Sequence, residues 1–239
     1  MNILILGASS SIGKSITKSF SKNNRLFLIS TKYEKIEALK KEALALGSQG
    51  VKIIETDLET TKNITELIQD KIDMIINVAC ASSSLKNYNI EPHRHQYYTA
   101  VDLSSPLVIL EHFLKEKSKQ GESTQLYYIF INTILSKIKS PGYSIYYSYK
   151  ILQQEYMSGL QRKYGYIFKS INVIVGTQIN RKKETPKTVK LAERIKLAIK
   201  NNESEFIFGH DGKMIYMLYR MSPLLSNGLI YIKRFLFRQ

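Results

Sequence analysis

Short runs of apolar residues alternate with longer amphipathic stretches along most of the chain. The apolar runs have the length and composition of strands that are buried on both faces of a sheet. They cover residues 2–6, 25–30, 51–56, 73–78, 125–132 and 169–175. Between them, apolar positions recur at spacings of three and four, which is typical of helices that pack against a sheet. The alternation predicts an α/β protein with a doubly wound parallel sheet in a single domain.

Two segments indicate where predicted helices begin and end. Residues 33–47 have the helical spacing of apolar positions, and Gly47 suits the position just after a helix, where a positive φ is common. Residues 184–202 predict a basic amphipathic helix, with Thr185 as a candidate N-cap and Pro186 in its first turn.

Composition limits the class of protein. The chain has 239 residues, of which 44% are apolar, and this is enough for one sizeable core. We expect one folded domain over residues 1–212 and an amphipathic, basic tail over residues 213–239. Cys80 is the single cysteine, so no intrachain disulfide can form and a reducing compartment is expected. The N-terminus leads from a strand into a glycine turn without the parts of an export signal, so we expect the cytoplasm.

The charge is strongly basic and unevenly distributed. Net charge is +15, and residues 181–239 carry 13 basic against 5 acidic side chains. Such an excess attracts nucleic acid, anionic lipid or phosphorylated small molecules, or it serves solubility alone. No nucleic-acid-binding motif is recognisable, so no nucleic acid partner is expected. The four histidines have no zinc-ligand partners at suitable spacing, so no metal site is expected.

A glycine-rich turn separates the first strand from the first helix. The sequence LILGASSSIGKSI places Gly7 and Gly13 at this turn. Free backbone N–H groups and the positive end of the helix dipole suit a pyrophosphate there. Two glycines six residues apart are a weak signal alone, but a strand before them and a helix after them strengthen it. We predict a dinucleotide site of the Rossmann type.

This turn resembles that of the short-chain dehydrogenase/reductase family, which reads TGxxxGxG. Leu6 stands in the threonine position and Ser11 in the position of the middle glycine. The resemblance covers residues 1–210 and rests on several motifs that occur in the family's order. It implies that the phosphates lie against the residues of the turn, which are Gly7, Ser9, Ser10, Ser11, Ile12 and Gly13.

The end of the second strand bears on the choice of dinucleotide. An acid at this position would bind the adenosine ribose and repel a 2′-phosphate, but no acid lies between Leu26 and Tyr33. Thr31 and Lys32 occupy the position, and NADP-using members of the family place a basic residue where Lys32 stands. A cation there favours NADP(H) over NAD(H). The alternative is an exposed lysine that merely opens a helix.

Two further segments match the adenosine side of the family's site. Asp57 and its neighbour Leu58 follow the third strand, where the family has an aspartate that accepts from the adenine amino group. The sequence NVACA stands where the family reads NNAG, with Asn77 and Ala79 at matching positions. Cys80 replaces the glycine, and it either crowds the adenosine or is an inert buried cysteine.

Four tyrosines fall within YSIYYSYK at residues 143–150. Residues four apart share one face of a helix, so Tyr146 lies on the face of Lys150, and Tyr147 lies near it. The family motif is YxxxK, which Tyr146 and Lys150 satisfy. The helix is expected to begin near residues 141–142 and to carry this face along the cofactor cleft.

The resemblance implies that Tyr146 is the catalytic acid/base and that Lys150 binds the nicotinamide ribose. A free phenol has a pKa of about 10, and a nearby ammonium stabilises the phenolate and lowers that pKa. Lowering it by about three pH units corresponds to roughly 4 kcal/mol. A lysine in a partly dehydrated cleft, together with the oxidised nicotinamide, is expected to supply this stabilisation of the phenolate.

Two more positions complete the family's catalytic set. A hydroxyl residue thirteen positions before the tyrosine is Thr133, which we favour for orienting the substrate carbonyl; Ser136 is the rival if the loop is shorter. Asp102 stands where the family has an asparagine on the preceding helix. A carboxylate can hold a backbone group or water, but it cannot donate unless it is protonated.

The segment after the sixth strand resembles the family's PGxxxT motif, which lies against the nicotinamide. Gly176 fits, whereas Val175 replaces the proline and Asn180 the threonine. The backbone of Ile179 is expected to contact the carboxamide. In the family the following segment, here residues 178–202, closes over the substrate. Its cations favour an anionic, phosphate-bearing substrate, or else they form a solvated helix face; they are Arg181, Lys182, Lys183, Lys187, Lys190, Arg194 and Lys196.

A predicted strand at residues 205–209 precedes the tail. Residues 213–239 contain five basic residues, five aromatic residues and no acid. Their charge-free stretch is too short to span a bilayer. The tail either lies on an anionic membrane, at the inner face, or packs on the core or on a second subunit. It has a weak similarity to reductases of cell-envelope polysaccharide or lipid-linked sugar pathways, and a homodimer or homotetramer is expected.

The sequence therefore favours an NADP(H)-dependent carbonyl reductase or alcohol dehydrogenase of the short-chain family. The first alternative is a catalytically silent dinucleotide-binding sensor or scaffold, because Ser11, Cys80 and Asp102 depart from the family pattern. The second is a membrane-surface binding protein that uses the basic tail.

Overall fold

The computed structural model describes residues 1–81, 92–121, 124–138, 144–176 and 183–222. Within these ranges seven strands form one parallel sheet. The strands are β1 Asn2–Leu6, β2 Arg25–Ser30, β3 Gly50–Glu55, β4 Met74–Asn77, β5 Leu126–Thr133, β6 Phe168–Val175 and β7 Glu205–Phe208. Their order across the sheet is β3-β2-β1-β4-β5-β6-β7. This is the doubly wound Rossmann-type sheet that the alternating pattern predicted, and that prediction is confirmed.

Helices pack on both faces of the sheet. They are α1 Ser11–Ser19, α2 Tyr33–Ala45, α3 Ile64–Leu67, α4 Pro92–Thr99, α5 Ser105–Lys119, α6 Ile134–Ile138, α7 Ser144–Tyr164, α8 Pro186–Lys200 and α9 His210–Met221. A 3₁₀ segment, Leu58–Asn63, precedes α3, and a π-helical turn, Ala100–Ser104, joins α4 to α5. One apolar layer holds α1, α2 and α8 against the sheet, and the other holds α5 and α7.

The order of the strands fixes where the site lies. Ile3 on β1 pairs with Leu26 on β2 and with Met74 on β4, so the chain leaves β1 in both directions across the sheet. The carboxyl ends of β1 and β4 therefore flank the switch point at which open parallel sheets bind ligands. The glycine turn follows β1 at this edge, and the NVACA segment follows β4.

The predicted element boundaries agree closely with the structure. Each predicted strand is present with ends shifted by one residue at most. The α2 helix ends at Ala45, and Gly47 terminates its last turn. The φ of Gly47 is +89°, and its N–H donates to the Leu44 carbonyl oxygen at 3.0 Å. Thr185 caps α8, because its side chain accepts from the N–H of Thr188. The sequence thus predicted both helix ends from local chemistry alone.

The α9 helix was not predicted as a helix, and it runs across the boundary expected at residue 212. The division into a domain over residues 1–212 and a tail over residues 213–239 therefore stays a prediction. No helix in the described part of the chain is long and apolar enough to cross a bilayer.

Candidate active site

The turn after β1 needs glycine at two positions. Gly7 has a φ of +83°, and a Cβ atom on it would lie 2.9 Å from the Cα of Ala79. A Cβ atom on Gly13 would lie 2.4 Å from the carbonyl oxygen of Gly7. The Ser10 hydroxyl accepts from the N–H of Gly13 at 3.0 Å and donates to the Gly7 carbonyl at 2.9 Å. The side chain of Ser10 therefore caps α1 and holds the turn tight.

The same turn offers unpaired donors to an anion. Within the described residues, the backbone N–H groups of Ser9 and Ile12 donate no hydrogen bond. They lie at the positive end of the α1 dipole, where a phosphate binds favourably. Ser11 is only 2% exposed, so the side chain that replaces the family's glycine is enclosed by the protein and does not project into solvent.

The end of β2 is tied to this turn by a chain of hydroxyl contacts. Ser30 donates to the hydroxyl of Ser9 at 2.7 Å, and the Ser30 hydroxyl accepts from the backbone N–H of Lys32 at 3.2 Å. Thr31 and Lys32 are both exposed. The backbone of Lys32 is thus fixed beside the turn, while its ammonium is accessible to a ligand.

Two acids lie at the carboxyl end of β3: Glu55 is the last residue of the strand, and Asp57 follows it. Glu55 accepts from the backbone N–H of Tyr33 at 3.2 Å, a contact that only the pairing of β2 with β3 brings about. Asp57 accepts from the N–H of Glu59 at 3.0 Å through Oδ1, and Leu58 is buried beside it. In the described ranges, Oδ2 of Asp57 accepts no hydrogen bond. Glu55 was not predicted as a site residue from the sequence, and its pairing opposite Ser30 places it beside the end of β2.

The segment after β4 is held by two buried side chains. Asn77 accepts from the N–H of Ala79 at 3.2 Å. Asp102, in the π-helical turn, is fully buried and accepts from the N–H of Ala81 at 2.5 Å. The Cys80 thiol lies 3.7 Å from the other oxygen of Asp102. Asp102 therefore acts here as an acceptor that fixes the loop.

One stripe of α7 carries the predicted catalytic pair. Tyr146 is half-buried, and the other members of the stripe are 0% to 8% exposed. Helical spacing along the sequence places all of them on the inward face. We call this set the α7 stripe: Tyr146, Lys150, Gln153, Met157 and Leu160. Its apolar end packs in the core, and its polar end reaches the carboxyl edge of the sheet.

The other tyrosines of YSIYYSYK are placed differently. The Tyr149 hydroxyl lies 2.9 Å from the hydroxyl of Thr99 on α4, so it is engaged in packing the two helices together. Tyr147 is half-buried. Tyr143 and residues 141–142, where the helix was expected to begin, lie outside the described residues.

Lys150 is 2% exposed. Among the described residues its ammonium contacts no carboxylate and donates no hydrogen bond. Burying a charge without a partner is costly. A ligand with hydroxyl or other acceptor oxygens next to this side chain would relieve that cost.

Two hydroxyl residues follow β5 at the same edge. Thr133 is 8% exposed, and its hydroxyl oxygen accepts from the N–H of Leu135 at 3.3 Å. The Ser136 hydroxyl donates to the Thr133 carbonyl at 2.7 Å. Ser136 has thus used its one hydrogen on the backbone, whereas that of Thr133 is available to another acceptor.

The end of β6 packs against α9. The N–H of Gly176 bonds to the Phe208 carbonyl at 2.9 Å, and the Gly176 backbone touches Gly212 of α9. Ile179 and Asn180 lie outside the described residues. The contact with Gly212 was not predicted, because no local pattern links residues from two different elements.

The helix after that segment is anchored on α1. Glu184 accepts from the Ser15 hydroxyl at 3.1 Å and binds the Lys18 ammonium at 2.7 Å. Lys18 also contacts Glu42 at 2.6 Å. Burial lowers the pKa of Lys18, but the hydrogen bonds to Glu184 and Glu42 outweigh it, and the pKa is raised. The start of α8 is therefore held against the helix that opens the glycine turn.

Two cations of the predicted basic segment have acidic partners in the structure. Arg194 pairs with Glu203 at 2.5 Å and Lys196 with Glu193 at 3.2 Å, so both cations are offset by acids. The remaining described cations of the segment are exposed, namely Lys183, Lys187 and Lys190. Arg181 and Lys182 lie outside the described residues. Within the part of the chain that the structure describes, no three His, Cys, Asp or Glu residues are grouped to hold a metal ion.

A buried polar cluster behind the site was also missed. Gln153 and Asn77 both bond to the hydroxyl of Tyr128 on β5. The sequence signal for Gln153 was present, because it lies three residues after Lys150 on the inward stripe. Nothing in the sequence indicated its partners.

Comparison with known proteins agrees with this geometry. A family model described as short chain dehydrogenase matches residues 1–184. The chain therefore belongs to the short-chain dehydrogenase family. No curated protein matches it.

Solved structures of low identity share the fold. A bulky-bulky ketone specific alcohol dehydrogenase from Comamonas testosteroni is 16% identical, with a TM-score of 0.75 over 94% of this chain and 92% of that chain. A short-chain dehydrogenase from Sphingobium yanoikuyae, in complex with NADPH, is 16% identical, with a TM-score of 0.77 over 96% and 95%. An NADH-dependent reductase complexed with NAD is 17% identical, with a TM-score of 0.70 over 87% and 93%.

Proposed function

We propose that this chain is a nicotinamide-dependent oxidoreductase that interconverts a carbonyl and an alcohol. The observation that carries the proposal is the α7 stripe, which brings Tyr146 and the buried Lys150 to the carboxyl edge of the sheet. Among the described residues, Lys150 has no hydrogen-bond or ion-pair partner. The glycine turn lies at the same edge, and the N–H groups of Ser9 and Ile12 have no acceptor within the described ranges. The similar solved structures that hold NADPH or NAD support a cofactor of this class.

The residues of the site have separate roles in this reaction. The nicotinamide cofactor, when bound, supplies or accepts the hydride. Tyr146 gives its phenolic proton to the forming alkoxide and takes one back in the reverse direction. Lys150 stabilises the phenolate and binds ribose hydroxyls. Thr133 donates a hydrogen bond to the substrate carbonyl, while Asp102 holds the loop after β4 as an acceptor.

The cofactor would lie against residues from four segments of the chain. The turn would hold the phosphates through Gly7, Ser9, Ser10, Ser11, Ile12 and Gly13. Asp57, Leu58, Asn77 and Ala79 would line the adenosine side. Gly176 and the backbone of Ile179 would lie against the carboxamide. Gly7 packs on the backbone of Ala79, and Gly13 packs on the carbonyl oxygen of Gly7, so the turn is tight. A tight turn of this kind supports close approach of its backbone to a pyrophosphate.

We favour NADP(H) over NAD(H). The backbone of Lys32 is fixed beside the turn by Ser30, and its exposed ammonium, together with Thr31, suits a 2′-phosphate. The carboxylate of Glu55 opposes this preference by its charge, although its hydrogen bond to the backbone of Tyr33 directs one oxygen away from the ligand. The net preference is therefore expected to be moderate.

The substrate we propose is a small anionic carbonyl or alcohol compound, phosphate-bearing or sugar-linked, as in envelope polysaccharide biosynthesis. Support comes from the exposed Lys183, Lys187 and Lys190 around the start of α8. Replacing all three by glutamine should raise KM for the true substrate and leave kcat unchanged. An unchanged KM would remove the case for an anionic substrate.

Membrane contact is a second candidate property, supported by α9. Met214, Met217 and Met221 are 58%, 64% and 71% exposed on one side of this helix, and Lys213 and Arg220 flank them. A groove of about 510 Å³ lies between this surface and Ile207 of β7, and Tyr216 completes its lining. Exposed apolar side chains beside cations suit an anionic bilayer. Such a protein would be a cytoplasmic enzyme at the inner membrane face.

Vesicle flotation tests this property. Full-length protein should float with vesicles that contain phosphatidylglycerol and not with phosphatidylcholine vesicles. A variant with Met217 and Met221 replaced by serine should remain in the dense fraction. A second outcome is that the full-length protein stays in the dense fraction and elutes from a sizing column as a homodimer or homotetramer. If the serine variant then elutes as a monomer, the surface contacts a second copy of the chain and not a membrane.

A catalytically silent nucleotide-binding protein is the alternative to the enzyme. Its support is that Asp102 stands where the family has an asparagine donor, and that in this chain it accepts a hydrogen bond from the N–H of Ala81. NADPH oxidation should be screened over keto-sugars, keto-acyl compounds and their phosphorylated forms, with Tyr146→Phe as the control. Turnover by the wild type that the phenylalanine abolishes supports the enzyme. NADPH binding without any turnover supports the silent protein.

A further inference from the structure

Three elements of the fold meet at one buried oxygen atom. The hydroxyl of Tyr128, on β5, accepts from Nδ2 of Asn77 at 3.1 Å and from Nε2 of Gln153 at 2.9 Å. All three side chains are 0% exposed. The hydroxyl therefore joins the end of β4 to the middle of α7 in a region that excludes water, where such bonds are stronger than at a surface.

On the β4 side, the network reaches the glycine turn. Oδ1 of Asn77 accepts from the N–H of Ala79 at 3.2 Å. The backbone of Ala79 is the surface against which Gly7 packs, since a Cβ on Gly7 would lie 2.9 Å from it. A change in the position of Asn77 is therefore transmitted to the contact between the β4 loop and the turn.

On the helix side, the network reaches the α7 stripe. Gln153 lies three residues after Lys150 and seven after Tyr146, on the same face of α7. Fixing the amide of Gln153 fixes both the rotation of α7 about its axis and its height along β5. The same two variables decide where the Lys150 ammonium and the Tyr146 hydroxyl lie relative to the glycine turn.

We propose that Tyr128 and Gln153 are positioning residues that set Tyr146 and Lys150 against the cofactor site. The proposal rests on the proposed function. The network itself moves no proton. Burial raises the pKa of the Tyr128 phenol far above its ordinary value, and the hydrogen bonds from Asn77 and Gln153 lower it by less. Tyr128 therefore stays neutral, and the pH dependence of turnover belongs to Tyr146.

Gln153→Met is the most informative variant. Oε1 of Gln153 is buried and has no hydrogen-bond partner in the described part of the chain. Methionine has a similar shape and removes this unpaired atom together with the bond to Tyr128, so the cost in folding stability is small. The matched control is Gln154→Met, at the next position of α7. This variant also loses one hydrogen bond, the one that Gln154 accepts from Asn172 on β6.

The two variants should differ in turnover and not in folding. Gln153→Met should lower kcat about tenfold, as expected for a lost alignment worth about one hydrogen bond. Because Lys150 then stabilises the phenolate less, the pH midpoint of kcat should move upward. The dissociation constant for NADPH should change by less than about threefold. Gln154→Met should keep the wild-type kcat and pH midpoint, and both variants should unfold at similar temperatures.

Tyr128→Phe gives an independent readout without turnover. It should speed hydrogen exchange at the amide of Ala79, because Asn77 loses the partner that holds it. The double variant with Gln153→Met should lower kcat no further than the worse single variant, since both remove the same bond. If Gln153→Met retains the kcat and pH midpoint of Gln154→Met, the positioning role is wrong. If the wild type itself turns over no substrate, the proposed function fails, and the exchange at Ala79 still tests the network.

Discussion

Gly176, just after β6, and Gly212, on α9, meet with their backbones in direct contact. A Cβ atom on Gly176 would lie 2.1 Å from the Cα of Gly212, and one on Gly212 would lie 2.4 Å from the Cα of Gly176. The N–H of Gly176 also bonds to the carbonyl of Phe208, the last residue of β7. This contact holds α9 at the carboxyl edge of the sheet, next to the predicted nicotinamide position.

Alanine at Gly212 should therefore destabilise the protein. The new methyl group has no room unless α9 moves away from β6, and overpacking of this kind typically costs about 1–3 kcal/mol. In a chain of this size each kcal/mol corresponds to roughly 2–4 °C in the unfolding midpoint. Differential scanning calorimetry of the purified variant measures the shift.

Gly159→Ala is the matched control for this experiment. Gly159 lies inside α7, and a Cβ atom on it would meet nothing within 4 Å. Alanine has the higher helix propensity, so this variant should gain about 0.5–1 kcal/mol. Equal midpoints for Gly212→Ala and Gly159→Ala would show that the contact between β6 and α9 is not close.

Lys150→Met should separate folding from cofactor binding. The ammonium is buried and lacks a partner among the described residues, so an apolar side chain of similar length removes a desolvation cost. We expect the unliganded variant to unfold at the wild-type temperature or above it. We also expect it to lose turnover and most of its affinity for NADPH.

Thermal unfolding with and without NADPH measures both effects. At a hundredfold excess over its dissociation constant, a ligand stabilises the native state by about 2.7 kcal/mol. The wild type should show this increase, and Lys150→Met should not. A variant that unfolds well below the wild type without ligand would instead assign Lys150 a structural role.

The sequence predicted those features of the fold and site that depend on neighbours along the chain. Gly47 and Thr185 mark helix ends, because a positive φ and a side-chain cap are local properties. Tyr146 and Lys150 share a stripe because of the helical period. These predictions needed no knowledge of the tertiary structure.

The features that the sequence did not predict depend on pairs of distant residues. Glu184 meets Ser15 across 169 positions of the chain, and Gln153 meets Tyr128 across 25. A glutamine on a helix or a tyrosine on a strand has many partners open to it, and only the packing of α7 on the sheet selects one. The ion pair between Arg194 and Glu203 was not predicted for the same reason, since the two side chains meet only in the folded chain.

Lys32→Ala should reduce the preference for NADPH. Its backbone is fixed by Ser30 and its ammonium is exposed, so the substitution removes a charge without disturbing the turn. One lost charge-assisted hydrogen bond of about 1.5–3 kcal/mol corresponds to a rise of roughly tenfold to a hundredfold in the dissociation constant for NADPH. Binding of NADH should change little.

Isothermal titration with both cofactors tests this expectation. Lys35→Ala, also exposed at the start of α2, is the control for a general loss of positive charge. If both variants weaken NADPH binding equally, the effect comes from the overall field and not from a contact with the 2′-phosphate.

The ion pair between Arg194 and Glu203 should make stability depend on pH in the acid range. The hydrogen bond from Arg194 lowers the pKa of Glu203 below its ordinary value of 4.5, and burial opposes it only in part. A carboxyl group with a lowered folded-state pKa stabilises the native state above its unfolded-state pKa. That contribution is lost as the pH falls through the lower, folded-state value. Because the pair is partly exposed, we expect about 1 kcal/mol or less.

Glu203→Gln should therefore be less stable than the wild type at pH 7. The difference should shrink as the pH is lowered below 4.5, where the wild-type carboxyl becomes protonated as well. Urea unfolding of both proteins at several pH values between 7 and 3 measures this difference directly. Arg194 also lies over the ring of Phe206 at 4.2 Å, a contact that the glutamine leaves in place. A difference that stays constant down to pH 3 would therefore reflect packing around the side chain at position 203 and not its charge.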